Sequence, residues 1–260
     1  MGAFDPTVPG ALQAVALLAM RVGGLLLVAP VFSARSVPVS LRAALLVLIT
    51  LVLAPVAVRS AEAARVLTPE ALLSETLVGF AMGLGAAVFI GAAEVAGEVV
   101  SLQTGLASAE MLDPQSQVHA PLLGPFVQSL AVVLLLSTGG HLVLLEALAA
   151  SAEVVPVGGG VGVERGLGGL VGLGATLFAL GLRFAAPVVA TVLVSQVALG
   201  VLARAAPQLN VLVVGLPVQI WVGILALAAS MPLLAEFFSS WASEYESVVT
   251  RLLGALQPVR

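Results

Sequence analysis

Cysteine is absent from this chain, and so is lysine, since all ten basic residues are arginine. Without a thiol there is no disulfide, no cysteine-held zinc and no thiolate nucleophile. Without a lysine no Schiff base can form, and no Walker-type phosphate loop can be completed. Charged residues make up 9% of the sequence and aromatics 5%, and His119 and His141 are the only histidines. Neither histidine has a second ligand at metal spacing, so no metal site is expected. Ser101 and Ser195 do not combine with those isolated histidines into a nucleophile and base at any recognisable spacing. The formal charge of −4 is too small to argue for a nucleic-acid or acidic-lipid partner. No catalytic residue, cofactor-binding residue or cofactor is expected, and the chain does not read as an enzyme.

What the chain does have is apolar length. Hydrophobic residues are 60% of it and the mean hydropathy is +1.16, far above a soluble domain. With roughly 20 apolar residues needed per helical span, 260 residues leave room for about six spans and no separate soluble domain. The apolar runs cover approximately 10–31, 39–58, 71–100, 122–150, 169–203 and 209–238. The alternation of a membrane barrel is missing, and isolated strands would leave their backbone unsatisfied in lipid. The expected fold class is therefore all-α, an integral membrane protein of about six hydrophobic helical regions. The N-terminal MGAFDPTVPGALQAV has no basic residue before Arg21 and so lacks the charged start of a cleavable signal peptide; the first run is expected to be retained.

Breaks are expected at Ala29-Pro30 with Ser36-Val37-Pro38, at Arg59 to Pro69, at Asp113-Pro114, through the Gly-rich 156–169 and at Ala206-Pro207-Gln208, where proline and glycine interrupt helices. The stretch VGGGVGVERGLGGLVGLG has no strand before it and no lysine, so it reads as a flexible connection between helices. The fifth run is longer than one span requires and contains Pro187, which points to a kink, a strong tilt or a part outside the bilayer. Gly79 with Gly83, and Gly168 with Gly172, have the spacing that lets helices approach closely. Arginines flanking the runs divide five against three between the two sides, which fixes no orientation.

One stretch breaks the apolar pattern. Residues 94–121, EVAGEVVSLQTGLASAEMLDPQSQVHAP, gather Glu94, Glu98, Glu110, Asp113, three Gln, His119 and two Pro with no arginine among them. Glu94 and Glu98 share a helix face one turn apart and repel each other. Either the third run ends before them and both are at an interface, or Glu98 with Gln103 lines a polar assembly surface or pathway. Arg21, Arg42 and Arg183 also fall in or beside apolar runs. Arg42 is placed to snorkel, whereas Arg21 and Arg183 call for a carboxylate or carbonyl partner that the sequence does not identify. His141, with Glu146 five residues on, is either a packed polar residue or part of a proton relay.

The chain resembles the FliR/SctT family, export-gate subunits of the flagellar and injectisome type III secretion systems. The resemblance covers essentially the whole chain. It rests on Arg35-Ser36-Val37-Pro38, on Gly97-Glu98 followed by Gln103, Gly105 and Asp113-Pro114, on Gly140-His141, and most specifically on LGVLARAAPQLNVLVVGLPV from Leu199 to Val218. It implies a non-enzymatic pore component made of helical hairpins, with residues 1–155 as a FliP-like part and 170–260 as a FliQ-like hairpin and tail. The implied partners are FliP and FliQ homologues, which complete the gate, with FlhB and FlhA homologues beside it and unfolded flagellar proteins as cargo. The implied location is the bacterial inner membrane, multi-pass, in the flagellar basal body. Helices of such a gate sit partly above the membrane plane, which would rationalise the long fifth run and Arg183.

In similar proteins the loop between the third and fourth hydrophobic regions plugs the closed channel. Carried onto this chain it is Leu106 to Pro121, with Leu106, Ser108, Glu110, Met111, Leu112, Asp113, Pro114, Gln117 and His119 as plug residues. Flagellar relatives often place aromatics here, whereas this chain offers Ser108 and Met111; Met111 and Leu112 are expected to seal instead. Glu94, Glu98, Gln103, Arg183, Arg204, Pro207, Gln208 and Asn210 are the expected assembly contacts. The alternatives are the equivalent injectisome subunit and an ion-coupled secondary transporter with Glu94, Glu98, Arg183 and His141 at its site, although no internal repeat supports the latter.

Overall fold

In the computed structural model, residues 10–34, 37–60, 67–106, 122–206, 208 and 211–257 are described. Every element formed by these residues is helical. The helices are α1 (Ala11–Val28), α2 (Pro30–Ser33), α3 (Val39–Ser60), α4 (Pro69–Thr104), α5 (Leu123–Ser137), α6 (Gly140–Val154), α7 (Val163–Ala205) and α8 (Val211–Leu256). α1, α3, α4, α7 and α8 are long and apolar enough to cross a membrane. The pair α5 and α6, bent by 68°, makes a sixth candidate if counted as one broken span. The all-α expectation of about six hydrophobic regions is what the fold delivers.

Local chemistry accounts for the breaks. Pro30 cannot continue the hydrogen-bond ladder of α1, so Ala29 adopts an extended ψ of 122° and α2 starts on the proline. The expected single run 122–150 is instead two helices, because Gly139, with φ of 77°, takes the left-handed turn that separates α5 from α6. Prolines 55, 187, 217 and 232, by contrast, lie inside helices that run on through them.

Two further expectations need correcting. The Gly-rich stretch is not a connection throughout, because α7 already begins at Val163 and carries Gly166, Gly169 and Gly174 in helix. Two of those glycines face neighbours: a Cβ on Gly166 would fall 2.4 Å from Leu256 Cδ2, and one on Gly169 3.1 Å from Leu252 Cδ2. The last run likewise continues past 238 as helix to Leu256. Trp241, Tyr245, Val248, Val249, Leu252 and Leu256 are buried along this extension, the spacing of an amphipathic helix.

The contacts divide the chain into two compact units, Met1–Val88 with Leu135–Ala175 and Ser240–Arg260, and Phe89–Leu134 with Thr176–Ser239. In the first, α1 packs on α3 and on α4. The α1–α4 contact is backbone on backbone: a Cβ on Gly79 would lie 1.8 Å from the carbonyl oxygen of Arg21, and one on Gly24 2.3 Å from that of Thr76. Gly83 approaches Leu25 O in the same way, so the first pair of spaced glycines does bring helices together. Gly168 and Gly172 do not, since a Cβ on either would meet nothing within 4 Å. Leu17, Leu25, Met82, Leu144, Leu148, Trp241 and Tyr245 fill this core, and the Tyr245 hydroxyl donates to Met82 O at 3.1 Å.

The second unit is centred on Ala96, Val100, Ala185, Val188 and Val192. Phe237 packs edge-on against Phe184 and Phe238 and tilts against Phe89. In the most apolar stretch of α4 67% of residues are buried, against 22% in α7 and 11% in α8, so α4 is the interior helix and the other two present apolar surface.

Candidate assembly and gating site

The polar end of α4 lies in the second unit and sets the root of the acidic stretch. α4 runs on to Thr104, so Glu94 and Glu98 lie within the helix and not beyond its end. Glu94 is half-buried, and its carboxylate accepts a hydrogen bond from the Gln128 amide of α5. Glu98 extends its stem over Gly124, where a Cβ would come within 2.9 Å of Glu98 Cγ, and its carboxylate end leaves the residue exposed. Gly97 lets the two backbones meet, since a Cβ there would fall 2.5 Å from Leu123 O. The Gly97-Glu98 pair thus has a packing reason at the glycine and an outward charge at the glutamate.

At Gln103 three helices are tied together. Its backbone carbonyl, one of those left without an intrahelical partner at a helix C-terminus, accepts from Gln219 Nε2 of α8 and, at 3.4 Å, from Gln196 Nε2 of α7. Gly105, with φ of 78°, turns the chain out of the helix one residue after α4 ends. Thr104 is fully buried with its hydroxyl on Val100 O, and its methyl occupies the space that a Cβ on Gly223 would need. Leu106 is half-buried at the start of the expected plug. Ser108, Glu110, Met111, Leu112, Asp113, Pro114, Gln117 and His119 lie outside the described residues, as do Pro207 and Asn210.

The other expected contacts are not gathered into this cluster. Arg204 and Gln208 are exposed around the end of α7. Arg183 is exposed on α7, and no hydrogen bond or ion pair ties it to another described residue. His141, half-buried, belongs to the first unit and its Nδ1 has no hydrogen-bond partner; Glu146 is exposed. Gly140 before it is required by packing, since a Cβ would fall 2.7 Å from both Leu135 Cγ and Trp241 Cζ2. Among the described residues, no three His, Asp or Glu side chains are grouped so as to hold a metal.

The strongest polar cluster was not singled out as a site from the sequence. In the first unit Arg21, fully buried, donates from Nε to Glu75 at 2.6 Å, from Nη1 to Ser151 Oγ at 3.0 Å and from Nη2 to Val155 O at 3.0 Å. The second oxygen of Glu75 accepts the Gly158 amide at 2.7 Å. One ion pair therefore joins α1, α4, α6 and the 155–162 connection. The signal was available, because an arginine within one apolar run and a glutamate in the first turns of another each need a partner. Arg42 finds a different solution and caps α2, donating to Ser33 O and Ala34 O.

Comparison with known proteins supplies the context for this geometry. The family model described as bacterial export proteins, family 1, matches residues 12–245. The chain is 34% identical over 240 residues to the flagellar biosynthetic protein FliR of Escherichia coli (strain K12), covering 91% of each chain. It is 32% identical over 238 residues to the FliR of Pectobacterium carotovorum subsp. carotovorum, again 91% of each. The FliR of Bacillus subtilis (strain 168) aligns over 160 residues at 35% identity, 60% of this chain and 62% of that protein.

Proposed function

Since the chain belongs to the bacterial export proteins of family 1 and to the FliR flagellar biosynthetic proteins within it, we propose that it is the FliR subunit of a flagellar type III export gate. The observation that carries this reading is the similarity to the Escherichia coli protein over 91% of both chains. The helices support a multi-pass protein of the inner membrane, and no chemistry beyond passage of cargo is assigned to it. FliP and FliQ homologues complete the gate, FlhB and FlhA homologues adjoin it, and unfolded flagellar proteins pass through. Residues 1–155 form the FliP-like part and 170–260 the FliQ-like hairpin.

Within this reading, Leu106 to Pro121 is the stopper of the closed channel. An apolar, mobile constriction in a pore denies ions a hydrated path, and an incoming extended polypeptide displaces it. Support comes from the place where the segment is rooted: Gln103 held by Gln196 and Gln219, Thr104 locked against Gly223, and Gly105 turning the chain away. A pore that admits many unfolded chains gains from small or adaptable linings and loses from strong specific sites.

A strain lacking its own FliR provides the test. The chain, co-expressed with its FliP and FliQ homologues, restores flagellin export and co-purifies with them. A chain that is purified alone and catalyses uptake of a small solute into liposomes would overturn the assignment. Deleting 108–119 from the assembled gate raises its resting ion leak; unchanged leakage would remove the stopper role while leaving the assignment to the gate in place.

A further inference from the structure

We propose that the outward face of α7 in the second unit, centred on Arg183, docks an apolar helix of another gate subunit that carries a carboxylate opposite the guanidinium. The inference rests on the gate reading above and adds the chemistry of the partner.

Arg183 is aligned with exposed Ala179, Ala186, Ala190, Val194 and Val201 at helical spacings of three, four and seven, which places all six on one face. That face is opposite the one formed by Ala185, Val188 and Val192, which α7 buries in the core of the unit. Its helix is apolar enough to enter a membrane, yet the arginine falls within the line, one turn from its N-terminal end, with no described acid to pair with.

Lipid alone does not cover this helix. Exposed apolar side chains extend from Val171 to Val201. At a rise of 1.5 Å per residue those thirty steps span about 45 Å. A hydrocarbon layer is about 30 Å thick, and even a tilt of 40° leaves about 34 Å along the normal. Wherever the slab is placed, either Arg183 enters it without a partner among the described residues or exposed valine, leucine and phenylalanine protrude beyond it. A helix laid along α7 removes both problems. The alanines on either side of Arg183 let that helix approach closely, and a carboxylate at the level of Arg183 supplies the charge the face lacks.

The test uses the full chain in the gate co-expressed with its homologous subunits. A photoreactive benzoylphenylalanine at Ala190 forms an adduct with a partner subunit in the purified complex. Arg183→Lys keeps complex recovery close to that of the parent. Arg183→Met lowers it by at least about tenfold, the loss that follows when a carboxylate buried at an interface loses its partner. Arg183→Glu abolishes assembly and is rescued by changing the acid found next to the adduct to arginine. If the complex forms in full yield with Arg183→Met and Ala190 crosslinks only to lipid, the face is a lipid surface and the inference falls while the gate assignment survives. If the parent chain forms no complex at all, both fall together.

Discussion

Arg21→Met should destabilise the first unit severely, and the geometry sets the size. The guanidinium is 0% exposed and Glu75 2%, so the substitution strands a buried carboxylate without its cation. It also withdraws the donors that satisfy Ser151 Oγ and Val155 O. Breaking a buried pair from one side costs about 3–5 kcal/mol, most of it the penalty of the orphaned charge. At roughly 2–4 °C per kcal/mol for a domain of this size, the melting temperature of the purified assembly should fall by about 6–20 °C. Met fills the volume, so packing contributes little to that loss. Arg21→Met combined with Glu75→Gln removes both charges and keeps an acceptor for the Gly158 amide. The double variant should recover most of the loss, because a buried pair exchanged as a whole for neutral groups is often close to neutral. The thermal melts of parent, singles and double make a double-mutant cycle with a coupling of at least about 2 kcal/mol. An Arg21→Met melt within 2 °C of the parent, or a double variant as unstable as the worse single, would refute the claim that this pair is what couples the four segments.

Two further outcomes separate packing from polarity. Gly79→Ala puts a methyl 1.8 Å from Arg21 O and must push α1 off α4, lowering stability by at least about 3 kcal/mol, whereas Gly168→Ala meets nothing within 4 Å and should gain about 0.5–1 kcal/mol from helix propensity; melts of both variants check the contrast. Gln219→Leu removes the main donor to Gln103 O at a cost of about 1–3 kcal/mol to that joint. Resting ion leak of the assembled gate should rise with assembly intact, and an unchanged leak would separate this joint from gating.

Composition made the fold class legible, because a chain so apolar has few ways to satisfy its backbone except as helices. Helix boundaries were legible where proline acts locally, as at Pro30, whereas the turn at Gly139 was hidden inside the apolar run 122–150, because apolar residues continue on both sides of it. Gly166 and Gly169 look like loop residues in one dimension, yet they are helix residues whose missing Cβ admits Leu256 and Leu252. Hydropathy ended the last run at 238, but an amphipathic helix continues to Leu256 because Trp241 and Tyr245 bury one face only. At the site, the spacing of Glu94 and Glu98 predicted a shared face, whereas tertiary packing gave one a glutamine and left the other exposed. Gln103 stood out as a polar residue near the acidic stretch, but its working group is the backbone carbonyl, which the side-chain identity does not reveal.

The three arginines placed in or beside apolar runs show how a polar group reports what surrounds it. Arg21 is closed off by Glu75, Ser151 and Val155 inside one chain. Arg42 is spent on the carbonyls at the end of α2, a local need of the backbone. Arg183 has neither solution among the described residues and is exposed on a helix whose most apolar stretch is 22% buried. A charge left open in an apolar face is costly for a subunit in lipid, and the cost disappears only when a complementary surface arrives. If α7 docks a neighbour as proposed, the same residue type serves two ends, one arginine closing a contact within the chain and another offering its charge to a second subunit of a shared channel.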